Sequence, residues 1–191
     1  MKFTRSVLGS LALLFTTAQG VDMKGYKPSD AVEAGFKNFI YKFYIYFEEY
    51  SSGYDYFTYW HQDGTMDIAD TKAKGYVDIM LLTRLLVPET RKQNLWNTVS
   101  EVTVTGETET NKTYTANLVV KKSDVEGNCF LTKTKADFTV LKDEAGNPML
   151  RPSSRSISLY HMHESEPRFT NMPCPLTLSR RKARRGGNRL A

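Results

Sequence analysis

Apolar side chains recur with one period in the first half of the chain and with another in the second. In "KPSDAVEAGFKNFIYKFYIYFEEYSSG", Val32, Phe36, Phe39, Ile40, Phe43 and Phe47 are spaced at three and four residues, which predicts one long amphipathic helix. Pro28 turns the chain ahead of it, Asp30 and Glu33 read as a capping box, and Ser51, Ser52 and Gly53 end it. "YDYFTYW" suits a strand by its aromatics and a short helix by its length. Asp63-Gly64 is a turn signal, and alternation over residues 65 to 68 predicts a short strand with Met66 and Ile68 on one side. Asp70 or Thr71 is placed to cap a second helix whose packed face holds Val77, Met80, Leu81 and Leu85, with Pro88 as its stop.

From Leu95 the period becomes two. "LWNTVSEVTVTGE" reads as a strand with an irregularity near Ser100, and "KTYTANLVVKK" as a second with Tyr114, Ala116, Leu118 and Val120 on one face. "NCFLTKTKADFTVLKD" turns Phe130, Ala136, Phe138 and Val140 inward and Lys133, Lys135 and Asp137 outward. After a turn at residues 145 to 148, "RSISLYHMH" puts Ile157, Leu159 and His161 together on the inward face. Helices followed by strands predict an α+β fold with a meandering antiparallel sheet curled around the first helix.

Composition changes this picture at the two ends. The stretch "MKFTRSVLGSLALLFTTAQG" has Lys2 and Arg5, a short apolar core and small residues, the layout of a secretory leader, which predicts a secreted, extracellular product. No stretch is long and apolar enough to predict a membrane span. The net charge of +5 is concentrated in the ends. Six cations lie in "SRRKARRGGNRLA" and two in the leader, which leaves 18 basic against 21 acidic side chains over residues 21 to 179. A slightly acidic body argues against nucleic-acid binding by the folded part. Cys129 and Cys174 are a possible single bridge, and Asn111-Lys112-Thr113 is an N-glycosylation acceptor. The division expected is a leader at 1–20, an N-terminal segment at 21–28, one domain at 29–163 and an extended basic tail at 164–191.

The order of elements, with "WHQDGTMDI" and "AKGYVDI" on either side of a short gap, resembles the nuclear transport factor 2-like superfamily, in particular its SnoaL-like branch. The resemblance implies a cone-shaped half-barrel wrapped around N-terminal helices, a pocket at its mouth and a homodimer through the outer sheet face. For the ketosteroid isomerases of that superfamily it further implies an oxyanion-donating Tyr at Tyr44 and a general base at the position of Ile68. Isoleucine has nothing to titrate, so that base is missing here. The second acidic group of those isomerases falls near Ala136, with Asp137 pointing away.

Among the remaining candidates, Asp63, Asp67 and Asp70 have structural roles available in a turn, an outward strand position and a cap. His61 reads as a surface turn residue, and His161 with His163 as a pair lacking the partners a metal site needs. The expectation is therefore a pocket for a small, largely apolar molecule lined by Tyr44, Ile68, Trp96 and His161, with no cofactor and no metal. The alternatives are an enzyme of isomerase, cyclase or dehydratase type using His161 and Tyr44 as acid and base, and a secreted protein-interaction module.

Overall fold

Strands with one apolar face must bury it, and the aromatic stripe on the first helix provides the cover. In the computed structural model of the chain, residues 21–48, 53–87, 95–123, 129–151, 154–163 and 168–169 are described, all within the compact unit Gly20–Pro175. Helix α1 spans Ala34–Glu48 and buries Phe36, Phe39, Ile40, Phe43, Tyr44 and Phe47. A short helix α2 (Gly53–Phe57) follows, then strands β2 (Trp60–Ile68) and β3 (Thr71–Lys74), and helix α3 (Gly75–Leu86). Three 13-residue strands come next, β4 (Leu95–Glu107), β5 (Asn111–Ser123) and β6 (Cys129–Leu141). β7 (Ile157–Met162) completes the main sheet, with two-residue strands β1 (Lys27–Pro28) and β8 (Arg168–Phe169) at its margins.

The strand order is β1-β4-β5-β6-β7-β2-β3, with β8 on β6, so the sheet stays open. The run β4 to β7 is the expected antiparallel meander, and the irregularity near Ser100 is a register shift between Val99 and Val102. The sheet as a whole is mixed, because β2 runs parallel to β7 and β1 parallel to β4. The chain leaves β2 through β3 and α3 and re-enters at β4, so β2 meets the end of the meander instead of its start. Residues before the expected domain start belong to this sheet too: Val21 is buried, and Asp22 bridges Thr98.

Three local expectations are corrected. Residues 60 to 68 form one strand; instead of a turn at Asp63-Gly64 there is a register shift against β7 between Trp60 and Thr65. Only glycine fits at 64, since a Cβ there would lie 2.9 Å from both the His61 and Ile157 carbonyl oxygens. Asp70 and Thr71 cap nothing: Ala69 and Asp70 turn the β2–β3 hairpin, and α3 begins at Gly75, whose φ of +77° suits glycine. The inner face of α3 is Ile79 and Leu82, while Val77, Leu81 and Leu85 are 60, 51 and 74% exposed. Of the four residues expected on the packed face, Met80 alone packs against the core, on the stripe beside Ile79 and Leu82.

The capping box at Asp30 and Glu33 is also replaced. Helix α1 starts at Ala34, and the Glu33 carboxylate accepts from Lys112 Nζ at 2.6 Å and from the Tyr114 hydroxyl at 2.5 Å. Tyr114 in turn stacks on Phe36 with ring centroids 4.0 Å apart. This fastens the start of α1 to β5. Burial opposes ionisation of Glu33, but the Lys112 and Tyr114 hydrogen bonds outweigh it and hold its carboxyl below the usual value. Burial likewise disfavours the Lys112 charge, and Glu33 more than offsets it, raising that amine. Cys129 is disulfide-bonded; Cys174 lies outside the described residues.

Because the folded Glu33 carboxyl titrates below its unfolded value of about 4.3, its contribution is complete above that value and is lost as pH falls through the folded one. Glu33→Gln should cost about 1–3 kcal/mol at neutral pH by removing the nearer of the two carboxylates paired with Lys112 and the charged acceptor of the Tyr114 hydroxyl. Urea denaturation of both proteins from about pH 7 down to about pH 2 should show the gap closing in acid; a gap independent of pH contradicts the assignment.

Candidate functional site

The inside of the cone is built on Phe43. The rings of Tyr56, Tyr59, Phe138 and Tyr160 have centroids between 5.2 and 5.8 Å from its own, supplied by α2, the turn before β2, β6 and β7. Edge-on and tilted pairings dominate, as the ring quadrupoles favour. Polar tips converge within this apolar packing. The Tyr44 and Tyr160 hydroxyls are 3.4 Å apart and fully buried. Tyr56 Oη, Tyr59 Oη and Trp60 Nε1 are buried with no hydrogen-bond partner.

Burial first, and then the neighbouring Tyr160, push the Tyr44 phenol far up; Tyr56 is raised by the same two causes in the same order. Thr83 and Trp60 lie close to the Tyr56 hydroxyl and pull the other way, although no contact there has hydrogen-bond geometry. Tyr160 is raised by burial, against the opposing effect of its bond to Tyr44. All three are therefore neutral donors near neutral pH and poor proton abstractors. One turn beyond Tyr44 on α1, Glu48 Oε1 accepts the Asn97 backbone N–H at 2.7 Å and its Nδ2 at 2.8 Å. The Asn97 side-chain oxygen is itself buried without a partner.

The residues expected at the site separate. Tyr44 points into the interior, and Ile68 packs against the core at the end of β2. Trp96 alternates with buried Asn97 and Val99, so its half-buried ring lies on the opposite face of β4. His161 is displaced to the outer face as well. Val140 pairs with Ile157 while its neighbour Thr139 pairs with Leu159, so Ser158 is an inserted residue that reverses the alternation. Ile157 and Tyr160 point inward and His161 outward. The insertion left no mark in the apolar pattern, and Tyr160 was passed over with it. Tyr56, Trp60, Glu48 and Asn97 were missed because they read as a stripe, a turn and a strand start; only the third dimension brings them together.

On the outer face, Asp137 and Asp67 flank His161 in one cross-strand row. His161 Nδ1 is 3.4 Å from Asp67, and His163 Nε2 is 2.9 Å from Asp137, which also accepts from the Thr115 hydroxyl at 2.5 Å. Lys72 pairs with Asp67 at 3.2 Å. No group of His, Cys, Asp and Glu among the described residues is arranged to hold a metal ion. His61 is partly exposed, and its Nδ1 accepts the Asp63 backbone N–H at 3.2 Å. Ala136 is fully buried, as Asp137 faces outward. Asn111 is half-buried at the β4–β5 hairpin. No described helix is long and apolar enough to cross a membrane.

No protein-family model matches the sequence, and no curated protein matches it. Solved structures do match. A scytalone dehydratase-like protein of Novosphingobium aromaticivorans superposes with a TM-score of 0.56 at 8% identity, over 76% of this chain and 92% of its own. A type 2 hexachlorocyclohexane dehydrochlorinase gives 0.57 at 10% identity, over 74% and 91%. The fold is the nuclear transport factor 2-like cone. A third structure of this cone, from Catenulispora acidiphila in complex with S-DNPA, matches with a TM-score of 0.51 at 11% identity, over 68% and 90%. At such identities the likeness is one of fold.

Of the 11 tyrosines, six are held above the ordinary phenol value by burial: Tyr26 to about 12, and Tyr44, Tyr56, Tyr59, Tyr114 and Tyr160 as well. Ultraviolet titration of the native protein at about pH 11, one unit above the ordinary phenol value, should ionise no more than the other five. Titration of all 11 while the protein remains folded contradicts the buried arrangement.

Proposed function

We propose that this cone binds a small, largely apolar ring-bearing molecule through an oxygen acceptor on the ligand, without isomerase-type catalysis. One observation carries the reading: Tyr56 Oη and Trp60 Nε1 are buried donors without partners beside the Tyr44–Tyr160 pair. A buried unsatisfied donor costs about 1–3 kcal/mol, and native interiors keep few of them. A carbonyl or ether oxygen placed among these tips would satisfy them, while the surrounding rings would take the apolar body of the ligand. The complex with S-DNPA in one structure of the same cone supports the reading by analogy of fold. Absence of a base at Ile68 and the raised tyrosines support binding without isomerisation. The leader-like first 20 residues, the acceptor at Asn111 and the disulfide at Cys129 support export to an oxidising compartment and glycosylation there.

A second reading, turnover of dehydratase, cyclase or isomerase type, is favoured by Glu48. It is held by Asn97 one helical turn from Tyr44 and is close enough to raise that phenol. His161 cannot serve as its partner from the outer face.

Native mass spectrometry of the protein from its own source should show a mature chain without residues 1–20, carrying a glycan at Asn111 and a retained small molecule. Tyr56→Phe should weaken retention by about tenfold, one hydrogen bond's worth of about 1.4 kcal/mol, without loss of thermal stability, and Trp60→Phe should weaken it at least as much while also lowering the melting temperature through the void left by the buried indole. Retention unchanged in both variants, or an empty native protein, removes the binding reading.

A further inference from the structure

The outer face of the sheet is divided by charge. Around His161 and His163 each acid has a partner, whereas toward the C-terminal end of β5 and the N-terminal end of β6 the charged outward positions are Lys121, Lys133 and Lys135. Lys121 pairs in register with Leu131, and Val119 with Lys133, so these two lysines are diagonal neighbours. Lys135 follows Lys133 by two on the same face. Such neighbours are about 7 Å apart, inside the screening length of about 8 Å at physiological salt. None of the three forms an ion pair among the described residues, and Lys122, exposed at the end of β5, forms none either. Sheets ordinarily set opposite charges across from each other, whereas the direct partners of these lysines are Leu131, Val119 and Asn117. Of the described acids on this face, Glu101 is engaged by the Asn117 amide at 2.9 Å, and Asp137, two residues beyond Lys135, by His163 at 2.9 Å and the Thr115 hydroxyl at 2.5 Å.

Trp96 pairs directly with Lys121 on this same outer face. Its half-buried indole is therefore the cross-strand neighbour of Lys121, with Lys133 and Lys135 one strand further along the same face. We propose that this surface binds an acidic polysaccharide, with pyranose rings against Trp96 and sulfate or carboxylate groups against Lys121, Lys133 and Lys135. Lysines give compact point charges without the guanidinium fork used to read phosphates and bases. The body as a whole, at 18 basic to 21 acidic residues, gives a long nucleic acid no continuous basic track. The surface is on the other side of the sheet from the aromatic interior and works independently of it.

The test uses the full chain and heparin as the probe, by calorimetry across a salt series. The triple variant Lys121→Glu, Lys133→Glu and Lys135→Glu should bind at least about tenfold more weakly and reduce the slope of log affinity on log salt by about 2–3. Trp96→Ala should lose about threefold to tenfold with the slope unchanged, and Trp96→Phe should recover most of the loss. Melting temperatures of the variants near that of the wild type confirm folding; the milder pair Lys133→Ala and Lys135→Ala, expected to show a smaller loss in the same direction, replaces any variant that melts early. Equal binding by wild type and triple variant overturns the proposal. So does a loss seen only on replacing Arg180, Arg181, Arg184 and Arg185 by Ala, which assigns binding to the basic tail. Single-stranded DNA binding as tightly as heparin of equal charge overturns the choice of polysaccharide.

Discussion

Everything in this fold is arranged around the packing of Phe43 inside a curved sheet. A helix can be enclosed by an open sheet only if its inner face is bulky enough to reach every strand, and α1 achieves this with rings at successive turns. Phe36 meets Tyr114 on β5, while Phe43 meets Phe138 on β6 and Tyr160 on β7. Each such ring buries on the order of 150–250 Å². Glu33 locks the near end of the helix through Lys112 and Tyr114, and Glu48 ties the far end to Asn97 on β4. The helix is thus fixed at both ends and along its length.

The same packing creates the chemistry. A tyrosine or tryptophan contributes an apolar body wherever a phenylalanine would, but it brings a donor that must be satisfied. Filling the cone with Tyr44, Tyr56, Tyr59, Trp60 and Tyr160 gathers donors in a medium where they stay neutral and where a bond to an acceptor is strong. Phenylalanines at the four tyrosine positions would pack as well without an unsatisfied donor, so the polar tips are the informative departure from a pure core. The exchange of a base for hydrocarbon at Ile68 fits this: the interior offers hydrogen bonds and apolar contact.

The sequence pattern was most informative where a period ran unbroken. The three long strands and the aromatic face of α1 follow from spacing, and the order of elements identified the cone. The errors occurred at single-residue insertions and displaced starts. Ser158 carries no signal in a polar and apolar alternation, yet it turns His161 out and Tyr160 in. Helix α3 begins at Gly75, and its apolar residues fall on two adjacent stripes, of which Ile79 and Leu82 are buried while Val77, Leu81 and Leu85 are exposed. Glu33 looked like a local cap and instead bonds a strand 79 residues away. Of the expected site, Tyr44 and Ile68 are inside; Trp96 and His161 are on the other face, where Trp96 pairs with Lys121 of β5.

The central claim is that the buried donors address an acceptor that is not part of the chain. A crystal structure at about 1.2 Å or better, the range in which hydrogens begin to show, of protein isolated from its own source tests it most directly. The expected result is an acceptor atom of a bound molecule within about 2.7–3.2 Å of at least two of Tyr44 Oη, Tyr56 Oη, Trp60 Nε1 and Tyr160 Oη. Side-chain atoms of the chain itself filling that space, with the four donors satisfied by one another, would contradict it.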